Sequence, residues 1–599
     1  MVEAISAEQA PSPGHVGQVE NLKANRNFCR ALSAVDRGAD QLGFACAFGH
    51  RLILAWWRGV TAGDREALPL REPLAPFPLT RLPKDAQASA DEMGDAAARL
   101  DAVAAAYQIG LAYTGLLPAE HRSAQGIYYT PPALTARLMD RATKAGTDWT
   151  SARILDPACG GGAFLAPVAR RIVEAMSGCS PHILLQNIAA RVHGYEMDPF
   201  GAWLSQISLD IALLPLLRAT GRHLPPLVTV CDSLRRGPPR GRFDLVIGNP
   251  PYGRVTLSRE DRARYTRSLY GHANLYGLFT DMALRNTRPG GVVAFVTPTS
   301  FLAGEYFKNL RALLGRDAPP TTIDFVAVRK GVFEDVLQET LLATYRRGAS
   351  AGPLSVHEIT PVNGSGIAVK ATGNISLPKD ASQPWLLPRN PPQAALVARL
   401  ARMPHRLTDW GYKVSTGPLV WNRYKDQLAG RSGRNRYPLI WAEAVTSDGR
   451  FVFRAEKKNH APYFEIRQGD GWLVVHEPCV LLQRTTAKEQ ARRLIAAALP
   501  SEFLTTHGAV VVENHLNMIR PLDGEPRVSA EVLAAFLNST AADRAFRCVS
   551  GSVAVSAYEL AALPLPPPER LEELHELVLA CAAWPHIEAA ATRLYSEAA

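Results

Sequence analysis

The sequence predicts an α/β protein built on a doubly wound, largely parallel sheet, with a helical N-terminal region before it and a mixed α+β region after it. Three observations carry this expectation. Between residues 121 and 350, short apolar runs alternate with helical patterns, the order of βαβ units. One of those runs ends in a glycine-rich turn that opens an amphipathic helix. Beyond residue 400, short β-like segments are interleaved with basic and aromatic residues.

The chain has 599 residues, 47% hydrophobic, 20% charged and 8% aromatic, so it is an ordinary globular chain rather than a disordered, collagenous or coiled-coil one. Length alone calls for several cores. Residues 1–120 alternate helical and proline-rich stretches, with an aromatic-apolar segment at 44–57 and no catalytic spacing. Residues 121–350 form the expected catalytic domain. Residues 351–400, dense in Gly, Pro, Ser and Asn, read as a linker. Residues 401–566 form the next domain, and 567–599 a C-terminal helical segment.

The eight cysteines (29, 46, 159, 179, 231, 479, 548 and 581) contain no CxxC and no short Cys/His spacing, which argues against a zinc ribbon or disulfide framework, and no metal is expected. The opening MVEAISAEQAPSPG lacks the basic start and apolar core of a signal peptide. The uncharged stretch 102–119 is rich in Ala and Gly and includes Gln108, Thr114 and Pro118, so it reads as a buried helix rather than a membrane span. The expected compartment is the cytoplasm.

The strands are expected in ARILD, VHGYEMD, LVTVCDSL, FDLVIGNPPY, GGVVAFVTPTSF, TTIDFVAV and ETLLATY. The first leads into DPACGGG and a helix in which Phe164, Val168, Ile172 and Met176 recur every four residues. Bare backbone in such a turn lets a nucleotide-like ligand approach. The dinucleotide fingerprint GxGxxG fails, because Leu165 stands at its third glycine. Acids end three strands: Asp156, Glu196 and Asp232. In a doubly wound sheet they converge on one crevice. Carboxylates there accept from ribose hydroxyls and an exocyclic amine and repel a pyrophosphate, which favours S-adenosylmethionine; singly, each acid could equally cap a following helix.

The strand FDLVIG runs into Asn249, Pro250, Pro251 and Tyr252. Two prolines cannot continue a ladder, so the chain leaves the sheet on a stiff backbone. An amine conjugated to an aromatic ring is a poor nucleophile. If the Asn249 side-chain oxygen and the Pro250 carbonyl each accept one N–H, the nitrogen moves toward tetrahedral geometry and its lone pair faces a methyl sulfonium. Tyr252 is expected to lie face to face with a base that has left the duplex stack.

The order GIYYTP (126–131), DPACGGG (156–162), YEMD (195–198), CDSL (231–234), GNPPY (248–252) and NLYGLF (274–279) resembles the gamma-class, TaqI-type amino DNA methyltransferases, and the match continues through RPGGVVAFVTPTSFL and VRKGVFEDVLQETLLATY. The resemblance covers about residues 121–350. It implies a class I S-adenosylmethionine-dependent methyltransferase domain and methylation of adenine N6. By position it implies that Tyr128 and Thr130 touch the methionine part of the cofactor, that Asp156, Ala158, Cys159 and Gly160 form the glycine turn, and that Glu196 holds the ribose. Met197 and Ser233 would flank the cofactor adenine, Asp232 would take its amino group and Pro251 would pack on it. Phe279 would press on the flipped base opposite Tyr252. Tyr128 and Ser233 stand where the family often has an apolar residue and an aromatic.

Residues 401–494 hold 17 Lys+Arg against 9 Asp+Glu, most of the chain's net charge of +10. A localised basic surplus with Trp, Tyr, Gln and Asn supplies phosphate neutralisation and base-edge hydrogen bonding. The run AAFLNSTAADRAFRCVSGSVAVSAYELAALPLP also resembles the target-recognition domains of this family and of type I specificity subunits. Arg423, Lys425, Arg434, Arg436 and Arg484 are the candidate contacts to double-stranded DNA. The expected function is a sequence-specific adenine N6-methyltransferase of a restriction-modification or related defence system, acting as a monomer on DNA. No nuclease pattern is found in residues 1–120, so cleavage is expected of a separate endonuclease. The alternatives are cytosine N4 methylation, protein glutamine or ribosomal RNA methylation, and a non-catalytic DNA-binding specificity module.

Overall fold

The computed structural model describes residues 32, 40–64, 68–118, 120–122, 129–236, 243–327, 339–362, 366–485, 492–522, 524–550 and 554–596. The chain divides into two compact units, Met1–Pro298 with Asn309–Leu377, and Thr299–Lys308 with Pro378–Ala599.

The first unit opens with helices α1 (Gln41–Val60), α2 (Lys84–Ala97) and α3 (Ala102–Leu116). Asp101 starts α3 by accepting from the Val103 N–H at 3.0 Å. Gly94 lets α2 close on α1, since a Cβ there would lie 2.5 Å from that of Ala55.

The sheet follows with β1 (Ile154–Asp156), β2 (Val192–Glu196), β3 (Val228–Val230) and β4 (Phe243–Gly248). After the small pair β5 (Arg254–Val255) and β6 (Ala273–Asn274), it resumes with β7 (Thr287–Pro298), β8 (Pro320–Val326), β9 (Thr340–Arg346), β10 (Leu354–Pro361) and β11 (Ile367–Ile375). Among the described residues its order is β11-β10-β8-β9-β7-β4-β1-β2-β3. Strands β3, β2, β1, β4 and β7 are parallel, and β9 enters antiparallel between β7 and β8. The chain order reverses between β1 and β4. Their carboxyl ends therefore open a crevice where ligands bind in doubly wound sheets.

Around the sheet lie α4 (Pro132–Lys144), α5 (Leu165–Ala175), α6 (Pro181–Arg191), α7 (Pro199–Ala212) and α8 (Leu214–Thr220). The four-residue period of α5 buries Val168 and Ile172 against β1 and its neighbours. Helix α7 is buried all round because it is covered on two sides. Its Ala202 and Leu209 join the sheet core, while Phe200, Trp203, Leu204 and Ile207 join the core of α1–α3. Buried Asp210 on α7 is paired with Arg71 at 2.9 Å, which ties the N-terminal region to the same helix. No single helix among the described residues is long and apolar enough to cross a membrane; α7 and α8 pass that test only as a pair bent by 66°.

Within the sheet, Asp324 of β8 is fully buried. It accepts from Arg137 and Arg141 of α4 at 2.7 and 3.1 Å, and His357 Nδ1 of β10 lies 3.0 Å from its other oxygen.

The expected linker, residues 351–400, is divided instead. Its first half forms β10 and β11, the outer antiparallel hairpin of the sheet. The polar composition belongs to an edge strand, where Lys370, Ala371 and Asn374 face solvent. From Pro378 onward the chain is part of the second unit, where Trp385 and Leu387 are buried. Thr299–Lys308, expected in the catalytic domain, also falls in that unit. Phe301 meets Trp385 edge-on at 5.9 Å, and Leu302 O accepts from the Trp385 N–H at 2.8 Å.

The second unit is mixed α+β. Strands β12 (Tyr412–Thr416), β20 (Leu516–Pro521), β17 (Val480–Gln483) and β18 (Ala496–Ala498) form one sheet. Strands β13 (Leu428–Ala429), β15 (Tyr463–Glu465), β14 (Arg436–Ile440), β19 (Val510–Val512) and β16 (Val474–Val475) form another. Residues 567–596 pack onto the rest of this unit. Tyr595 donates to Pro564 O at 3.0 Å and packs 5.6 Å from Phe536.

Candidate active site

Strand β1 ends at Asp156, and the turn at 157–162 follows. Gly160 and Gly162 take φ of +51° and +87°, which side chains disfavour. Gly161 is needed for space: a Cβ there would lie 2.3 Å from the Tyr129 ring. Asp156 is fully buried under the turn and accepts from the Ala158 N–H at 3.1 Å. Burial holds its carboxyl well above the usual carboxylate range.

Glu196, at the end of β2, stitches this turn to its own. Its Oε2 accepts from Gly160 N–H at 2.8 Å, and its Oε1 accepts from Met197 and Asp198 N–H at 2.9 Å. Burial raises its carboxyl as well, against these hydrogen bonds. At the end of β3, Ser233 Oγ donates to Pro157 O at 2.6 Å, and Asp232 accepts from Leu234 N–H at 3.0 Å. Three strand ends are thus joined through their own side chains.

They enclose a cavity of about 310 Å³. Of the residues singled out by sequence, Ala158, Gly160, Glu196, Met197, Asp232, Ser233, Asn249, Pro251 and Phe279 line it. Asp156 and Cys159 lie beneath the wall rather than on it. Cys159 is buried against Gly194, and burial pushes its thiol up. Tyr128 lies outside the described residues.

Asn249 leaves β4 with both ends of its amide engaged. Its Nδ2 donates to Thr130 Oγ1 at 3.1 Å, and its Oδ1 accepts from the Tyr252 hydroxyl at 2.7 Å. Thr130 itself is buried and does not line the cavity. Tyr252, expected to offer its face to a base, instead points its hydroxyl at Asn249. Its ring meets Tyr276 edge-on at 6.1 Å and does not form the cavity wall. Pro250 is buried beside it. Burial raises the Tyr252 hydroxyl well above its ordinary value, so it stays a donor.

Two parts of the wall hold residues to which the sequence assigns no role. The first is Tyr129, whose buried hydroxyl has no hydrogen-bond partner among the described residues, next to Asp198. Asp198 caps α7 by accepting from Phe200 and Gly201 N–H, and also accepts from the Tyr113 hydroxyl of α3 at 3.0 Å. The N-terminal helices therefore reach the rim of the cavity.

The second part is a strap after Tyr252. Gly253 turns at φ +117°, and Val255–Ser258, Asp261 and Tyr265 then cover the cavity. Ser258 caps α9 (Arg259–Arg264) by accepting from Asp261 N–H at 3.1 Å. Arg264 and Tyr265 both donate to Leu234 O at 3.0 Å. Beyond them, Arg267 and Ser268 are held by buried Asp281 of α10 (Leu275–Asn286) at 2.7 and 2.8 Å. The same helix carries Phe279.

In the second unit, Arg423, Lys425 and Arg434 are exposed. Arg436 is also exposed but paired with Glu465 at 2.7 Å. Arg484 differs from the expectation: it is half-buried and donates to Asn514 O at 2.8 Å, a bond that holds two loops together.

The residues fit S-adenosylmethionine better than a phosphorylated cofactor. A phosphate-binding turn keeps its N–H groups free for an anion. Here the Gly160 N–H is taken by Glu196 and the Gly162 N–H by Cys159 O. Of the four carboxylates on the wall, Glu196 and Asp232 stand at strand ends and suit hydroxyls and an amine.

Residues 234–333 match the Eco57I restriction-modification methylase family. The chain is 28% identical to the type II methyltransferase M.PstI of Providencia stuartii over 346 residues, 56% of this chain and 67% of that protein. It is 26% identical to the type II methyltransferase M.BsuBI of Bacillus subtilis over 345 residues, 56% of this chain and 68% of that one. The type IIL restriction-modification enzyme MmeI, solved in complex with DNA, shares the fold over 97% of this chain and 92% of its own, with a TM-score of 0.51 at 13% identity. The chain thus carries an Eco57I-type restriction-modification methylase domain on a class I S-adenosylmethionine-dependent methyltransferase fold, and is a homologue of the type II methyltransferases.

Proposed function

We propose that the chain is a sequence-specific DNA methyltransferase acting on the N6 amine of a flipped-out adenine, with DNA read by residues 401–566 of the second unit. One observation carries this reading: Asn249, at the exit of β4, shares a cavity with Glu196 and Asp232, at the exits of β2 and β3.

S-adenosylmethionine supplies a methyl group on a positively charged sulfur, an electrophile that needs only a nucleophilic nitrogen. The protein's task is to make that nitrogen nucleophilic. Asn249 Oδ1 keeps a second lone pair beside the one given to Tyr252, and the Pro250 carbonyl is a second acceptor. Two acceptors on one amine localise its lone pair, and fixed acceptors need no reorganisation during reaction. Asn249 is not a base; the proton lost after C–N bond formation passes to water. Phe279 packs on the base. Tyr252 acts through its hydroxyl, which holds the asparagine, and its ring becomes available to the base only if that contact is exchanged.

Sequencing modified bases in DNA from cells expressing the chain tests the reading. A single motif carrying N6-methyladenine is expected, absent from cells expressing Asn249→Ala. DNA without any new methylated base refutes it.

A further inference from the structure

The second unit presents a cross-linked end of its small sheet that the reading above leaves unused. Strands β13 and β14 both flank β15, which brings three turns together where β15 ends. Gln427 Nε2 donates to Glu465 O at 2.9 Å and to Asp470 Oδ2 at 2.7 Å. Ile466 N–H donates to Asn435 O at 2.8 Å, and Asn435 sits at φ +60°, a strained turn held in place. Arg467 Nη1 donates to Asp426 Oδ2 at 2.5 Å. Turns 421–427, 430–435 and 466–473 are therefore one rigid surface rather than three loose loops.

Its charge is one-sided. Asp426 and Glu465 are neutralised by Arg467 and Arg436 within the surface, and Asp470 is occupied by Gln427 and the Arg467 N–H. Lys425 and Arg434 are exposed and have no acidic partner among the described residues.

Trp472 stands on this surface. At 62% exposure it is the most exposed aromatic side chain among the described residues. Its outward direction is imposed by its neighbour. Leu473 plugs the core formed by Leu439, Trp441, Phe464 and Val511, and its N–H is fixed to Asp470 O at 2.9 Å. An indole facing outward from the same cross-linked surface as two cations without acidic partners, one of them Lys425 over the Trp421 ring at 5.9 Å, has the features of a nucleic-acid contact: cations for phosphates and a flat apolar face for a base.

We propose that Trp472 is a DNA-contacting residue that stacks on a base exposed where the bound duplex is kinked or opened, with Lys425 and Arg434 on the adjoining phosphates. The inference rests on the DNA-methyltransferase reading and adds a stacking contact to it. Aromatic wedges and platforms of this kind stabilise distorted duplexes because every base has a π-face.

The test measures binding of the full chain to a duplex carrying its methylated motif, across a salt series. Trp472→Ala is expected to weaken binding by about 5- to 100-fold, the span of a single base–aromatic stack, with an unchanged salt slope. Trp472→Phe is expected to keep most of the affinity. Lys425→Ala is expected to lower the salt slope by about one. Affinity of Trp472→Ala within twofold of wild type overturns the inference. Unchanged DNA binding with a shift from dimer to monomer overturns it too, and assigns the surface to a second copy of the chain. A wild-type protein that methylates no DNA counts against the underlying reading, whereas an active wild type with an indifferent Trp472→Ala counts against this inference alone.

Discussion

Thr130 Oγ1 accepts from Asn249 Nδ2 at 3.1 Å, so the loop before α4 is bonded directly to the asparagine at the exit of β4. An amide whose nitrogen is pinned has its oxygen direction fixed as well. With the Tyr252 hydroxyl on Oδ1, the side chain is held from both ends. The family resemblance assigns Thr130 to the cofactor's methionine part; the hydrogen bond supports a further role, positioning the asparagine proposed to act on the amine.

The two roles separate experimentally. Thr130→Val, which keeps the shape and loses the acceptor, is expected to lower kcat by about tenfold or more while changing the KM for S-adenosylmethionine little. Thr130→Ser restores most of the rate. A raised cofactor KM at unchanged kcat assigns Thr130 to the cofactor instead.

Cofactor affinity is expected to depend on pH through Glu196. Its carboxyl is raised above the ordinary value by burial, so the charged form that accepts from hydroxyls is lost earlier on acidification than for an exposed glutamate. Above its folded value Glu196 is ionised and binding is full; as the pH falls through that value binding weakens. Calorimetry is expected to show this decline beginning above pH 4.5, the ordinary glutamate value. Glu196→Gln is expected to bind more weakly at neutral pH, with the decline abolished. An unaltered decline in that variant assigns the pH dependence to another group.

Asp324 is expected to matter for stability rather than chemistry. It is fully buried under two arginines of α4, the helix that begins just after Thr130. Removing one member of a buried ion pair leaves the other charges unpaired at a cost of about 3–5 kcal/mol. Asp324→Ala is expected to lower the melting temperature substantially. A melting temperature unchanged from wild type contradicts this.

Those buried partners mark where sequence reading stops. Glu196, Asp232 and Asn249 were legible because each ends an apolar run, and a doubly wound sheet brings such ends together. Tyr129 and Tyr113 were not, because their contacts with the site come through tertiary packing of α3 and α7. The strap at 254–265 reads as an ordinary charged stretch, and only its place on the wall and its bonds to Leu234 show that it covers the cavity. β10 and β11 read as a linker in the sequence because the hairpin closes the sheet edge, and an edge strand carries solvent-facing polar residues. The orientation of Tyr252 depends on the Asn249 rotamer, which no sequence pattern encodes.

Asn249 separates amino methylation from carbon-5 methylation but does not separate the two amines. Adenine N6 and cytosine N4 are both exocyclic amines on aromatic rings, and an acceptor pair activates either one. Carbon-5 methylation of cytosine is a different chemistry, because it requires a thiol nucleophile. Cys159 is buried with its thiol pushed up, and Cys231, the cysteine on the cavity wall, also has its thiol raised by burial. A thiol held in its neutral form is a poor nucleophile. The remaining choice rests on the Asn-headed tetrad, whose resemblance is to adenine enzymes. Asn249→Ala is expected to reduce transfer by on the order of a hundredfold or more, because one preorganised acceptor is lost, while cofactor affinity stays close to wild type. Digestion of DNA methylated by the wild type is expected to yield N6-methyl-2′-deoxyadenosine. N4-methyl-2′-deoxycytidine in its place overturns the adenine assignment and leaves the role of Asn249 intact, whereas 5-methyl-2′-deoxycytidine overturns both.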